Sequence, residues 1–316
     1  MTNTDPAPQQ EPPDRRNDDD FNFKVSVDVV NVFFNVKDKR GGLIPDLKPG
    51  DFELYEDEKK QTIKYFSAES NQPLTLGLLI DSSGSMQRVI EMEKEVGSRF
   101  LSDVLGPKDM AFVISFDVNV DLLQDFTSSR RELRDGLYRA RINTGGGMYG
   151  APPGLGGGPL PTTRPPRGTL LYDAIWLGAD EKLGREVGRK AMIILTDGVD
   201  QGSQTTLKLA VESAQRADTI CYVLLIQDRE FAQFGDGEGA MKQLAEQTGG
   251  RVIRVGDKFE KLKAAFDQIA LELRSQYSIG YTPTNNKRDG TFRRVEIKSK
   301  QDYKVQARKG YYANAQ

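Results

Sequence analysis

The sequence has 316 residues, with 44 Lys and Arg against 46 Asp and Glu, a formal net charge of −2 and no histidine. This length suggests two domains, and the near-neutral balance gives no argument for nucleic acid as a partner. The absence of histidine excludes Ser-His-Asp and Cys-His catalysis as well as His-ligated zinc and haem. With a single cysteine, Cys221, the chain forms neither an intrachain disulfide nor a multi-cysteine metal site.

Residues 1–20 are rich in Pro, Gln and Asp and contain no aliphatic pattern. Such a segment cannot bury enough apolar surface to offset its chain entropy, so we predict a disordered polar tail. No signal-peptide pattern is found there. The apolar runs of the chain are much shorter than the ~20 residues of a membrane helix, and we predict no transmembrane segment.

Alternating apolar residues predict β-strands near both ends of the chain. A long strand is expected from Phe23 to Val36, with a bulge at Val29, and shorter strands are expected around a turn at residues 57–60. Strands at Tyr277–Tyr281 and around Val295 and Val305 follow the middle of the chain. Because few strands are marginal alone, we predict one β module shared by residues 21–70 and 276–313 rather than two independent appendages.

The middle of the chain, residues 73–275, alternates apolar runs with helical stripes. This order predicts an α/β fold with a Rossmann-like, doubly wound and mostly parallel sheet. Helices are expected around Val96 and Val211, and the stripe from Phe259 to Leu273 predicts a last helix that runs directly into the strand at Tyr277. The predicted buried strands are residues 74–80, 111–116, 191–195, 220–226 and 252–255.

Small oxygen-bearing side chains follow two of these strands. Asp81, Ser83 and Ser85 come after the first strand, and Asp197 comes after the strand at residues 191–195. Ligands of such sheets bind at the carboxyl ends of the strands, and hard divalent cations prefer oxygen donors. Two carboxylates leave a 2+ ion near neutral, with room for a carboxylate from outside. Alternatively, the Asp-Ser-Ser-Gly-Ser segment is a cluster of N-cap residues for the next helix.

At these positions the chain resembles the von Willebrand factor type A (VWA) domain with its metal-ion-dependent adhesion site (MIDAS). The family signature Asp-x-Ser-x-Ser matches Asp81, Ser83 and Ser85; its distant Thr matches Thr169, and its later Asp matches Asp197. The resemblance covers about 200 residues. It implies that these five residues bind Mg²⁺, Mn²⁺ or Ca²⁺, and that an acidic residue of a partner protein completes the coordination. It also implies that engagement at this site is linked to a slide of the last helix; the alternative is a last helix that is well packed and has a structural role only.

We therefore expect a divalent-metal-dependent protein-binding module that is not an enzyme. One alternative is a metal-dependent hydrolase that uses the same cluster, although no candidate base or nucleophile elbow is found. Another alternative is a structural scaffold with a vestigial metal site.

Two further segments carry weaker expectations. Residues 51–57 and Tyr277–Tyr281 resemble strands that bracket the domain in a bacterial subfamily of secreted VWA proteins, which implies secretion or a periplasmic or cell-surface location. A cytoplasmic location is the alternative. The Gly- and Pro-rich insertion at residues 144–168 is either a mobile loop or a partner-facing rim that presents Met148, Tyr149 and Leu155.

Overall fold

The computed structural model describes residues 29–68, 72–142, 168–226 and 237–315. Within these ranges no helix is long and apolar enough to cross a membrane. The predicted polar tail at residues 1–20, and the part of the first predicted strand that precedes residue 29, lie outside the described residues.

A six-stranded sheet forms the centre of the fold, in the order β10-β9-β8-β5-β6-β7. Its strands are parallel except for β7, which pairs antiparallel with β6 at one edge. All five strands predicted from apolar runs are confirmed, because strands covered on both faces need nearly continuous apolar sequence. The strands are β5 (Leu74–Asp81), β6 (Met110–Phe116), β7 (Val120–Thr127), β8 (Arg189–Thr196), β9 (Thr219–Leu225) and β10 (Val252–Arg254).

Helices cover both faces of this central sheet, as the doubly wound prediction requires. One buried apolar cluster contains Phe100 and Phe266, and a second cluster on the opposite face contains Ile175 and Leu244. The helices are α1 (Ile90–Val104), α2 (Arg130–Leu137), α3 (Leu171–Trp176), α4 (Leu207–Arg216), α5 (Gly237–Thr248) and α6 (Phe259–Arg274), and α3 continues as a π-helix over Leu177–Leu183.

Two four-stranded antiparallel sheets, which we call the outer sheets, are built from both ends of the chain. One has the order β13-β1-β11-β4, and the other has the order β14-β12-β2-β3. They enclose a third apolar cluster that includes Phe34, Leu54 and Ile279. The strands are β1 (Val30–Lys37), β2 (Phe52–Glu56), β3 (Lys59–Gln61), β4 (Tyr65–Ala68), β11 (Tyr277–Tyr281), β12 (Phe292–Ser299), β13 (Lys304–Ala307) and β14 (Gly310–Tyr312).

The chain passes from the outer sheets to the central sheet and back at one place. It leaves β4 at Ala68 and returns at Tyr277 of β11, and these two residues are paired in the antiparallel ladder. Helix α6 ends at Arg274, immediately before β11. The pairing of strands from the two ends is thus observed, whereas the proposed domain boundaries stay a prediction.

Charged groups fasten the outer sheets to the central domain. The ammonium of Lys37 in β1 donates to the carboxylate of Glu272 in α6 at 2.8 Å, and Arg251 pairs with the same carboxylate at 2.6 Å. The Glu272 side chain is 4% exposed. A second link joins Arg308 to Asp218 in the turn between α4 and β9.

Several elements were not predicted from the sequence, namely β3, β7, β14, α2 and α5. Strand β7 lies at the edge of the central sheet, has no fully buried residue and contains register shifts, so its sequence lacks a regular alternation. Helix α2 buries only Leu133, Gly136 and Leu137, which is too short an apolar stripe to be recognised.

Candidate functional site

The first site loop begins where β5 ends, at Asp81. The Asp81 side chain has no exposed surface. One carboxylate oxygen accepts a hydrogen bond from the backbone N–H of Ser83 at 2.9 Å, and the other accepts one from the hydroxyl of Thr196 at 2.8 Å. The hydroxyl oxygens of Ser83 and Ser85 lie 3.0 Å apart. Three of the predicted ligands are therefore close neighbours.

The same loop does not cap the helix that follows it. Helix α1 begins at Ile90, its N-cap residue is Val89, and no side chain provides the cap hydrogen bond. Ser83 precedes a short 3₁₀ turn, again without a side-chain cap hydrogen bond. The alternative interpretation of this segment as a set of N-cap residues is therefore wrong, and its hydroxyl groups are left for another role.

The second site loop follows β8 and contains Asp197. Its first residue, Thr196, donates to Asp81 and accepts a hydrogen bond from the N–H of Gly198 at 3.0 Å. The Asp197 carboxylate accepts from the N–H of Val199 at 2.9 Å. Gly198 has a φ of +87°, and a Cβ atom at this residue would lie 3.1 Å from the backbone of Gly237. Glycine is needed here for both reasons.

The third predicted loop carries Thr169, which is 7% exposed. Its backbone forms a reciprocal bridge with Gln201, with N···O distances of 3.0 and 2.9 Å. A Cβ atom at the preceding Gly168 would lie 2.8 Å from the carbonyl oxygen of Gln201, so this contact needs glycine. The bridge attaches the Thr169 loop to the segment that follows Asp197.

Asp117 is a residue of this region that the sequence analysis missed. Its carbonyl oxygen accepts from the N–H of Leu170 at 2.7 Å, and its carboxylate accepts from the N–H of Asn119 at 2.9 Å. The hydroxyl of Ser82 lies 3.5 Å from the same carboxylate. Asp117 thereby connects the Asp81 loop to the Thr169 loop. It follows a predicted buried strand, so the argument from strand ends could have found it.

Two more aspartates fix the start of α3. Asp200 accepts from the N–H of Tyr172 at 3.1 Å and from the hydroxyl of Ser203 at 2.6 Å. Asp173 accepts from the N–H groups of Gln204 and Thr205 at 3.0 and 2.8 Å. These bonds cross between α3 and the loop after β8 in both directions. They hold Thr169 and Asp197 in a fixed relation.

The electrostatics of the site favour a cation. Burial and, to a smaller extent, the negative charge of Asp197 together raise the pKa of Asp81 from 3.8 to about 7, against the opposing hydrogen bonds from Ser83 and Thr196. The available donors are carboxylate and hydroxyl oxygens, which hard divalent cations prefer. Within the described ranges no group of three or more His, Cys, Asp or Glu side chains gathers into a metal site. A cation at this edge of the sheet would therefore need the serine and threonine hydroxyls as additional ligands. The three predicted partner contacts, Met148, Tyr149 and Leu155, lie outside the described residues.

No family model matches the sequence, and no curated protein is significantly similar to it. Among solved structures, proximal thread matrix protein 1 (PTMP1) from the mussel byssus matches with a TM-score of 0.51 and 11% identity, over 69% of this chain and 51% of that chain. A second PTMP1 structure, with a zinc-occupied MIDAS motif, matches with a TM-score of 0.50 and 12% identity, over 68% and 48% of the two chains. BatB from Bacteroides thetaiotaomicron matches with a TM-score of 0.46 and 20% identity, over 64% and 100%. The chain thus spans about half the length of PTMP1.

Proposed function

The central sheet and its helices have the fold of a von Willebrand factor type A domain, and on this basis we propose that the chain is a divalent-metal-dependent protein-binding module. In the proposed site Asp81, Ser83, Ser85, Thr169 and Asp197 hold a cation. Mg²⁺ is the expected ion, with Mn²⁺ or Ca²⁺ as substitutes, and PTMP1 takes zinc at its own motif. The observation that carries the proposal is the buried Asp81 carboxylate beside Asp197, next to two adjacent serine hydroxyls.

Each residue has a separate task in this mechanism. Asp81 supplies charge from the floor of the site, and its orientation is fixed by Ser83 and Thr196. The Ser83 and Ser85 hydroxyls provide neutral donors, so the ligand set gains oxygens without gaining charge. Asp197 and Thr169 close the site from the neighbouring loops. The bound cation supplies a Lewis-acidic position at the surface for a carboxylate of the partner protein.

The proposal is tested by calorimetric titration of Mg²⁺ and Mn²⁺ into the full chain and two variants. We expect the wild type to bind and both Asp81→Ala and Asp197→Ala to lose binding, because each variant removes one of two carboxylates. Asp302→Ala, at an exposed aspartate on the outer sheets, is the control and should bind like the wild type. Equal binding by all four proteins would refute the proposed site.

A hydrolase is the second candidate that shares this cluster. The Ser83 hydroxyl has the Ser85 hydroxyl as its hydrogen-bond partner, and the sequence contains no histidine to act as base. We therefore propose a binding function without catalysis. Phosphatase or esterase activity that disappears with EDTA and in Asp197→Ala would favour the hydrolase. A melting temperature that does not change on addition of Mg²⁺ or Mn²⁺ would favour the structural scaffold with a vestigial site.

We propose that the protein acts outside the cytoplasm, in the periplasm, at the cell surface or in secreted form. PTMP1, which shares the fold, is a protein of the mussel byssus. Fractionation of the native source with an antibody against the full chain tests this location. Recovery of the protein in the cytoplasmic fraction alone would overturn it.

A further inference from the structure

Glu93 is a buried carboxylate that the mechanism above does not use. It lies in the first turn of α1, and its side chain has no exposed surface. In the part of the chain that the structure describes, neither of its carboxylate oxygens has a hydrogen-bond partner. Burying a carboxylate without a partner is strongly unfavourable, so this position needs an explanation.

The other buried glutamates of the described ranges do not share this property. Glu56 is 2% exposed and accepts hydrogen bonds from the hydroxyls of Tyr281 and Tyr311 at 2.7 and 2.9 Å. Glu272 is 3% exposed and pairs with Lys37 and Arg251. The fold therefore satisfies its structural glutamates, and Glu93 is the exception.

The position of Glu93 connects it to the candidate cation site. It lies in the first turn of α1, the helix that follows the Asp81 loop, and the start of this helix packs in the same buried cluster as Ile80, the residue before Asp81. Burial raises the pKa of Glu93 well above its usual range, and the negative charge of Asp81 is the next contribution in the same direction. The positive charge of Lys94 lowers the pKa of Glu93, but the Lys94 ammonium donates its hydrogen bond to Glu91, at 2.7 Å. Within the described ranges no ion pair includes Asp81 or Glu93. The buried carboxyl groups of Asp81 and Glu93 thus interact electrostatically, and in the described ranges neither forms an ion pair with a Lys or Arg side chain.

We propose that Glu93 is an additional acidic residue of the cation site, whose carboxylate stabilises the bound divalent cation from the interior of the protein. The inference rests on the proposed function and extends the set of residues that act on the ion beyond the five predicted from the sequence. The negative charge of an ionised Glu93 would add to those of Asp81 and Asp197 and strengthen the attraction of the site for a 2+ ion. Because Glu93 has no exposed surface, it does not occupy the position that a partner's carboxylate takes.

The test is calorimetric titration of Mn²⁺ into the full chain, with the melting temperature in EDTA measured in parallel. In Glu93→Gln the amide keeps the shape and removes the charge, so we expect Mn²⁺ affinity to fall roughly 10–100-fold, as for other groups that support metal ligands. The melting temperature in EDTA should stay the same or rise, because the raised pKa keeps the metal-free Glu93 side chain protonated and the neutral amide replaces a neutral group. Glu91→Gln, at a 76% exposed residue of the same helical turn, should bind Mn²⁺ like the wild type.

A purely structural role gives a different pattern. Glu93→Gln would then melt lower in EDTA and bind Mn²⁺ with wild-type affinity, and that result overturns the inference. Glu93→Met, with an unbranched apolar side chain, should show the same loss of affinity as Glu93→Gln, and failure of both variants to fold also assigns a structural role. If the wild type itself does not bind Mn²⁺, the proposed function fails as well, whereas wild-type binding with an unaffected Glu93→Gln refutes only this inference.

Discussion

The hydrogen bonds at the site do not offset the free-energy cost of burying the Asp81 carboxylate as an anion. This carboxylate accepts hydrogen bonds from Ser83 and Thr196, yet burial and the charge of Asp197 still raise its pKa to about 7. The metal-free site therefore retains a proton near neutral pH, which a cation bound at the proposed site would replace. The same feature that favours the ion weakens the protein without it.

The raised pKa of Asp81 predicts that Asp81→Asn changes the stability of the metal-free protein in a pH-dependent way. The folded pKa lies above the unfolded value of 3.8, so the folded state binds more protons between pH 4 and 7 and the free energy of unfolding falls as pH rises through that range. We expect the free energy of unfolding of Asp81→Asn not to fall in this way, because asparagine does not titrate. In EDTA this variant should melt higher than the wild type at pH 8, with a smaller difference at pH 5.

The measurement is thermal unfolding of both proteins in EDTA at the two pH values. Asp302→Asn is the matched control, since Asp302 has a 90% exposed side chain and a φ of 58° that asparagine also tolerates. A wild type that is equally stable at pH 5 and pH 8, or an Asp81→Asn protein that melts lower at pH 8, contradicts the prediction.

The site residues differ in how readily sequence reasoning finds them. Asp81, Asp117 and Asp197 each come at or just after the end of an apolar run that predicts a buried strand. Thr169 follows no such run and was identified only through the family resemblance. Glu93 stands between Met92 and Lys94 in a helix, where a glutamate normally indicates a solvated face. Its burial is decided by how α1 docks on the sheet, which the local sequence does not encode.

At the scale of elements, α6 lies between the site and the outer sheets. Phe266 of α6 packs against Phe100 of α1, with ring centroids 4.6 Å apart, and α1 follows the Asp81 loop. At its other end α6 leads into β11 within three residues, and Glu272 ties it to Lys37. This arrangement provides a physical connection through which the proposed site and the outer sheets could influence each other.

We predict that Ile269→Ala, remote in sequence from the site, changes the affinity for an acidic protein partner. Ile269 is fully buried in the apolar cluster shared by α1 and α6, so its truncation leaves a cavity that alters how α6 packs. The expected loss of stability is about 2–5 kcal/mol. Calorimetry with Mn²⁺ and then with the partner separates the two effects. A folded variant with normal Mn²⁺ binding and unchanged partner affinity would show that α6 is structural only.

Elements were predictable from sequence in proportion to their burial. The parallel strands β5, β8 and β9 are buried along their whole length and were all found. The edge strand β7 has no fully buried residue and the short helix α2 has three, so their patterns are set by tertiary contacts that no local window contains.

At the scale of the whole molecule, Glu272 joins the central domain to the outer sheets through its ion pair with Lys37. It accepts from Lys37 and Arg251, and both Lys37 and Glu272 are buried at this join. Burial lowers the pKa of Lys37 against the opposing effect of Glu272. Removing the carboxylate therefore leaves a buried cation whose remaining acceptor, the Gln306 amide oxygen at 2.9 Å, carries no charge.

We predict that Glu272→Ala lowers the free energy of unfolding by about 3–5 kcal/mol, the range for breaking one half of a buried ion pair. The double variant Lys37→Met, Glu272→Met replaces the pair by apolar side chains and should recover most of this loss. Chemical denaturation of the three proteins measures the difference. A Glu272→Ala protein as stable as the wild type would contradict the assigned importance of this link.

The pairing of Ala68 with Tyr277 has a mechanical consequence. The chain enters the central domain after β4 and leaves it before β11, and these two strands are paired with each other. The first and last strands, β1 and β14, both belong to the outer sheets. Tension applied between the chain before β1 and the chain after β14 is carried by the outer sheets. It reaches the central sheet along the backbone only after β4 separates from β11. A partner held at the proposed cation site would thus be shielded from a pull on the flanking chain until the outer sheets unfold.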